Sequence, residues 1–260
     1  MKYTFVFVIF ILGIFLSGCE EDKEPEIGNL SVELRTETEC PINKNKIVIV
    51  GFGQSNAANS GETLYYPEKK VLNFFNNKCY LAEDPLLGNG GTSGSVWSRL
   101  GDLLLSKYDN VIINAFGVGG SSINSWIPGG TNHSLMINNL TQLIEAGLEP
   151  DVILWHQGET DAMINMSTKE YYDKFLLIRQ SIRNLGITSD IYVAKATVCN
   201  YGINKPIYDA QTLLSNDFED IKVGADTDFG VSKDYRYDNC HMDTTGLLIH
   251  ANLWKEVILK

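Results

Sequence analysis

The stretch IVIVGFGQSNAANSG, residues 47–61, joins an apolar run to a cluster of glycines, amides and two serines. Ile47-Val48-Ile49-Val50 shows no polar alternation, the pattern of a strand covered on both faces. A glycine-rich bend behind such a strand cradles a phosphate, holds a nucleophile or turns a corner, and the role of Ser55 depends on which.

Further apolar strands are predicted at Val111–Phe116, Val152–His156, Ile191–Ala196 and Ile221–Ala225, with helical spacing between and after them. In the clearest helix, Ser167-x-x-Glu170 forms a capping box, Tyr171, Phe175, Ile178, Ile182 and Leu185 share a face, and Gly186 ends it. The last helix follows Asp243 and carries Leu247, Leu253, Trp254 and Val257. This alternation predicts an α/β fold with a mainly parallel sheet between helical layers. Ligands of such sheets collect beyond the carboxyl ends of the strands. Here those ends read Gly51–Asn56, Gly117–Ser122, Gln157–Asp161 and Thr197–Asn200, which converge on one edge.

Several functions are excluded early. A dinucleotide fingerprint needs glycine where Asn56 stands, and a phosphate loop needs a Gly-Lys-Ser/Thr triplet that the chain lacks. The formal charge of −11, with no basic cluster, argues against nucleic acid and favours a neutral or weakly charged substrate. The cysteines form no CxxC pair, which disfavours zinc. No metal or organic cofactor is implied.

A serine nucleophile needs an imidazole base, and the base needs a carboxylate to fix its tautomer. Of the four histidines, His133 falls in a polar loop, His156 in a strand and His250 inside the last helix. His241 differs, because Asp238-Asn239-Cys240-His241 precedes the final helix and residues three apart share one turn.

The blocks Gly53-Gln54-Ser55-Asn56, Gly117-Val118-Gly119-Gly120-Ser121-Ser122 with Trp126, Gln157-Gly158-Glu159-Thr160-Asp161 and Asp238-x-x-His241 occur in order from Gly51 to His241. As a set they resemble the SGNH hydrolases, and within them the branch of sialate O-acetylesterases and acetylxylan esterases. The resemblance implies a flavodoxin-like three-layer α/β/α sandwich and serine esterase chemistry on an acetylated carbohydrate. It makes Ser55 the nucleophile, His241 the base and then acid, and Asp238 its orienting partner, with Glu159 open as a replacement or supplement for Asp238. Oxyanion donors implied are the Ser55 and Gly120 backbone N–H groups and the Gln157 side-chain amide, with Gly119 an alternative to Gly120. Gln157 stands where the wider family has asparagine, a change this branch shares. The α/β-hydrolase elbow does not fit, since no glycine lies two residues after Ser55.

Each residue also has a plainer reading. Ser55 is a turn or cap residue, Gln157 and Glu159 tie loops together, Asp161 braces its own loop, Trp97 and Trp126 pack rather than stack on sugar, and Asp238 and His241 cap the last helix. Two other functions compete, a noncatalytic carbohydrate-binding lipoprotein and a lipase or thioesterase of the wider family.

Residues 1–18 read as an export signal: a basic start, an apolar run from Phe5 to Leu16, then Leu16-Ser17-Gly18-Cys19. This tetrad resembles a bacterial lipobox, which implies lipidation of Cys19 and anchorage on a membrane of the cell envelope without spanning it. Residues 19–39 are then a polar tether, and residues 40–260 the esterase domain. Cys40, Cys79, Cys199 and Cys240 permit two disulfides in three pairings, or free thiols.

Overall fold

The computed structural model describes residues 32–42 and 45–260; the signal-like segment, Cys19 and the acidic run behind it lie outside the described residues. Among the described residues eight strands form one sheet: β1 (Glu37–Thr38), β2 (Lys46–Gly53), β3 (Val71–Phe75), β4 (Lys78–Leu81), β5 (Asn110–Ala115), β6 (Val152–His156), β7 (Asp190–Lys195) and β8 (Ile221–Asp226). Their order is β1-β4-β3-β5-β2-β6-β7-β8, parallel from β3 to β8, with β4 and β1 antiparallel at one edge. The run β5-β2-β6-β7-β8 has the flavodoxin-like order, and the chain reverses its direction of travel across the sheet at β2. The helices are α1 (Val96–Leu104), α2 (His133–Glu145), α3 (Glu159–Met163), α4 (Thr168–Asn184), α5 (Lys205–Asp217), α6 (Thr227–Gly230) and α7 (Thr244–Ile258).

Alternation along β2 builds the two faces. Val48, Val50 and Phe52 enter the core under α2, α4 and α5, while Ile47 and Ile49 enter the core under α1 and α7. Phe52 lies 5.1 Å from Phe116, 5.4 Å from Trp126 and 4.9 Å from Trp155, ring centre to ring centre. Each such pair contributes about 1 kcal/mol beyond the area it buries. On the other face the Trp97 indole packs against Gly51, where a Cβ would lie 2.5 Å from the ring. Trp97 and Trp126 are both fully buried, and their N–H groups donate to Ala57 O and Ser121 Oγ, so both pack.

Helix signals in the sequence match their elements. Ser167 caps α4 by accepting from Glu170 N–H, and Asp243 caps α7 by accepting from Gly246 N–H. His133 opens α2 instead of lying in a loop, with Nε2 3.0 Å from Ser181 Oγ. The β3–β4 hairpin has no counterpart among the predicted strands. Its run is broken by Asn73, which is buried and accepts from Leu87 N–H at 2.6 Å. Asn76 and Asn77 turn the hairpin with φ of 48° and 62°, the primed geometry that asparagine tolerates.

The folded region also begins before Cys40. Arg35 donates to Glu83 O and Pro85 O, and β1 pairs with β4. The cysteines pair Cys40–Cys79 and Cys199–Cys240. On a chain-entropy account, closing loops of this length contributes about 4 kcal/mol each.

Candidate active site

Ser55 opens a single 3-10 turn, Ser55–Ala57, directly behind β2. Gly53 makes this path possible: at φ +138° its backbone lies so close to β6 that a Cβ would stand 2.0 Å from His156 O. The Asn89 side chain holds the turn against the neighbouring loop, donating to Ala57 O at 3.1 Å and accepting from Gly117 N–H at 2.6 Å.

The Asp238–His241 pair sits in a tight loop closed by an Arg236–Met242 bridge and by Tyr237 N–H donating to His241 O. Asn239 takes the left-handed conformation at its tip, φ 66°. Asp238 Oδ1 accepts from Cys240 N–H at 3.0 Å and His241 N–H at 2.7 Å, and Oδ2 lies 2.6 Å from His241 Nδ1. One carboxylate thus shapes the loop and orients the imidazole, so that Nδ1 carries the proton and Nε2 is left to accept one. Partial burial pushes the Asp238 carboxyl up, but the His241 ring and the two backbone N–H groups outweigh it, and the carboxyl lies below its ordinary range.

One contact brings this loop to Ser55 and a second anchors it from the other side of the sheet edge. Asn56 Nδ2 donates to Cys240 O at 3.4 Å, so Ser55 and His241 are each one residue from a shared hydrogen bond. The Cys199–Cys240 disulfide fixes the same loop to the end of β7. Among the described residues no direct Ser55–His241 hydrogen bond is formed.

The Gly117–Ser122 block continues beside β2, with Val118 N–H donating to Gly53 O and Ser121 N–H to Val118 O. Between them Gly119 and Gly120 are exposed, and a Cβ on either would meet nothing within 4 Å. Gly120 has φ +66°. Within the described hydrogen bonds, the N–H groups of Ser55, Gly119 and Gly120 are not used, which leaves all three free to donate.

Gln157 is placed differently from the oxyanion donor implied by the resemblance. It is fully buried, and its Nε2 is already shared among Asp161 Oδ2 at 2.5 Å, Ser121 O at 3.1 Å and Gln54 Oε1 at 3.3 Å. Asp161 also accepts from Ile123 N–H and the Ser122 hydroxyl, the bracing role read from the sequence. Burial raises its carboxyl above the ordinary range despite those donors.

Among the described hydrogen bonds, Asp238 and not Glu159 is the carboxylate on His241. Glu159 Oε1 accepts from Asn56 Nδ2 at 2.9 Å and lies 3.4 Å from His156 Nε2, and the group is 1% exposed. That 3.4 Å contact lacks hydrogen-bond alignment, and within the described hydrogen bonds His156 Nε2 makes none. Burial pushes the Glu159 carboxyl up, and His156 and Asn56 bring it below its ordinary range. Behind it, His156 Nδ1 lies 3.2 Å from His250 Nε2, which accepts from Trp254 Nε1 at 3.0 Å. Burial drives His250 well below its usual value, so it stays neutral.

Three contributors carried no role in the sequence reading. Asn56 joins the Ser55, Glu159 and His241 segments, Asn89 pins the first block to the second, and buried Arg236 donates to Cys240 O at 2.8 Å and Thr227 O at 2.9 Å. The usable signal was Arg236 itself, a basic residue two places before Asp238 in an acidic chain.

Comparison with known proteins follows the same blocks. Residues 45–248 match the family described as carbohydrate esterase, sialic acid-specific acetylesterase. No curated protein matches the sequence. A solved protein from Arabidopsis thaliana superposes with a TM-score of 0.68 at 17% identity, covering 83% of this chain and 98% of its own. A putative GDSL-like lipase from Parabacteroides merdae gives 0.55 at 15%, covering 84% and 98%. The Clostridium thermocellum family 3 carbohydrate esterase gives 0.50 at 14%, covering 82% and 96%. At these identities the likeness is one of fold, whereas the family match spans all four sequence blocks. The chain therefore belongs to the sialic acid-specific acetylesterase family of carbohydrate esterases.

Proposed function

We propose that Ser55, His241 and Asp238 carry out the carbohydrate acetyl-ester hydrolysis that family membership assigns to this chain. The observation that carries the reading is the Asp238–His241 pair, delivered to the Ser55 turn through Asn56 and Cys240. Ser55 Oγ attacks the acetyl carbonyl carbon while His241 Nε2 takes its proton, and Asp238 Oδ2 holds the resulting imidazolium. The oxyanion is met by the N–H groups of Ser55 and Gly120, where each such donor contributes about 10²–10³ in rate. His241 then gives the proton to the departing sugar oxygen. Water enters, loses a proton to His241 and releases acetate, restoring Ser55. Gln157 acts here as the brace that sets the two blocks, and Glu159 as the group that positions Asn56.

The experiment is covalent trapping. Diethyl 4-nitrophenyl phosphate is expected to release one equivalent of nitrophenolate and leave a diethylphosphoryl group on the peptide bearing Ser55, with loss of acetate release. An adduct on another residue, or none with an active preparation, would reject Ser55 as nucleophile.

The Leu16-Ser17-Gly18-Cys19 tetrad supports a position as well: an exported protein held on the bacterial cell envelope by lipid on Cys19. Cells fed radiolabelled palmitate are expected to label the wild-type protein and not Cys19→Ala. Label retained by the alanine variant would refute lipidation at that residue.

A further inference from the structure

Between α3 and the loop behind β7 lies an open cavity of about 330 Å³. Met163 and Asn165 form one wall, Tyr201, Gly202 and Ile203 the other, and the buried Cys199 completes it. Cys199 ties this cavity to the catalytic edge, because its disulfide partner Cys240 precedes His241 and bonds Asn56 beside Ser55.

Two features define what the cavity suits. The first is apolar surface left in water: Tyr201 is 72% exposed, Met163 43% and Ile203 38%. A cluster of this kind beside an active site marks a surface that a ligand covers. The second is charge. The lining contains no Asp, Glu, Lys, Arg or His. Lys205, next along the chain from Asn204, is turned onto Asp209 at 2.6 and 2.8 Å. A carboxylate entering here would lose its water without gaining a cation, in a chain of net charge −11. Sugar rings have C–H faces that pack flat on an aromatic ring, and hydroxyl edges that an amide such as Asn165 satisfies.

We infer that this cavity is a subsite for a neutral glycosyl unit next to the acetylated one, with Tyr201 as its stacking platform. The preferred substrate is then an acetylated neutral oligosaccharide rather than a single acidic sugar. This rests on the Ser55 esterase reading and adds to it where the remainder of the substrate lies. Binding energy from this remote unit helps seat the ester at Ser55.

The test compares Tyr201→Ala, Tyr201→Phe and wild type on four substrates: 4-nitrophenyl acetate, an acetylated neutral monosaccharide, the corresponding acetylated trisaccharide and an O-acetylated sialic acid. Tyr201→Ala is expected to lower kcat/KM about tenfold on the trisaccharide, mostly through KM, and at most about twofold on the chromogen and monosaccharide. Tyr201→Phe is expected to keep most of the trisaccharide rate, since the ring face does the binding. The wild type is expected to favour the trisaccharide over the sialic acid. An unchanged trisaccharide rate, an equal loss on all substrates or a loss confined to the sialic acid would overturn the subsite. Failure of Ser55 chemistry is distinguishable, because then Ser55→Ala matches wild type on the chromogen, whereas failure of the subsite leaves that contrast intact.

Discussion

Ser55→Ala is expected to lower kcat/KM for 4-nitrophenyl acetate and for acetylated sugars by about four to six orders of magnitude, the range for a serine nucleophile acting with its base. The same substitution is expected to leave the thermal midpoint within about 2 °C of wild type. Both follow from one placement. Within the described hydrogen bonds the Ser55 side chain is unused, and the turn is held by its backbone, Ala58 N–H to Ser55 O, and by Asn89 on Ala57 O. Alanine therefore removes the attacking oxygen and no structural contact. Steady-state kinetics beside a circular-dichroism melt check the pair of results. A loss under about 100-fold would mean that water attack without a covalent step carries the reaction, contrary to the acetyl-enzyme route.

The second large effect concerns the orienting carboxylate. Asp238→Asn is expected to lower kcat/KM by about 10³–10⁴, the size seen when an imidazole is forced into the wrong tautomer. Asparagine keeps an oxygen for the N–H groups of Cys240 and His241, so the loop survives. It places an NH₂ group where Oδ2 faced His241 Nδ1 at 2.6 Å. Nδ1 must then accept, the proton moves to Nε2, and the ring no longer takes the serine proton. Glu159→Gln should cost only about tenfold, because glutamine still accepts from Asn56 while the carboxylate beside His156 is lost. Measured side by side, equal losses would contradict the separate roles. The lowered Asp238 carboxyl also has a direction with pH: ionised, it contributes stability above its unfolded pKa, and that contribution is lost as pH falls through the folded value.

Legibility in the sequence tracked how local each signal was. Five parallel strands, the caps of α4 and α7 and the Asp238–His241 turn are each written within a few residues, through apolar runs, cap residues and a three-residue spacing. The β3–β4 hairpin was hidden because Asn73 looks like a break, and only a long-range partner, Leu87 N–H, makes a buried amide acceptable there. The bonding partners of Gln157 and Glu159 were not legible. Those depend on which donors and acceptors surround each amide or acid, and Asp161, Ser121, Gln54, Asn56 and His156 come from three separate stretches of chain. The disulfide pairing was invisible for the same reason, since it requires knowing that the end of β7 meets the loop before α7.

The Cys40–Cys79 bond has a mechanical consequence. It spans 39 residues and closes a ring that contains Ser55 and all of β2. Tension applied upstream of Cys40 passes through sulfur to Cys79 and bypasses that ring. The Cys199–Cys240 bond does the same for the 41-residue span that ends beside His241. Pulled from its two ends, the oxidised chain cannot pay out the ring that carries Ser55. At about 3.5 Å per residue, roughly 14 nm of contour in each ring stays hidden until the disulfide is reduced.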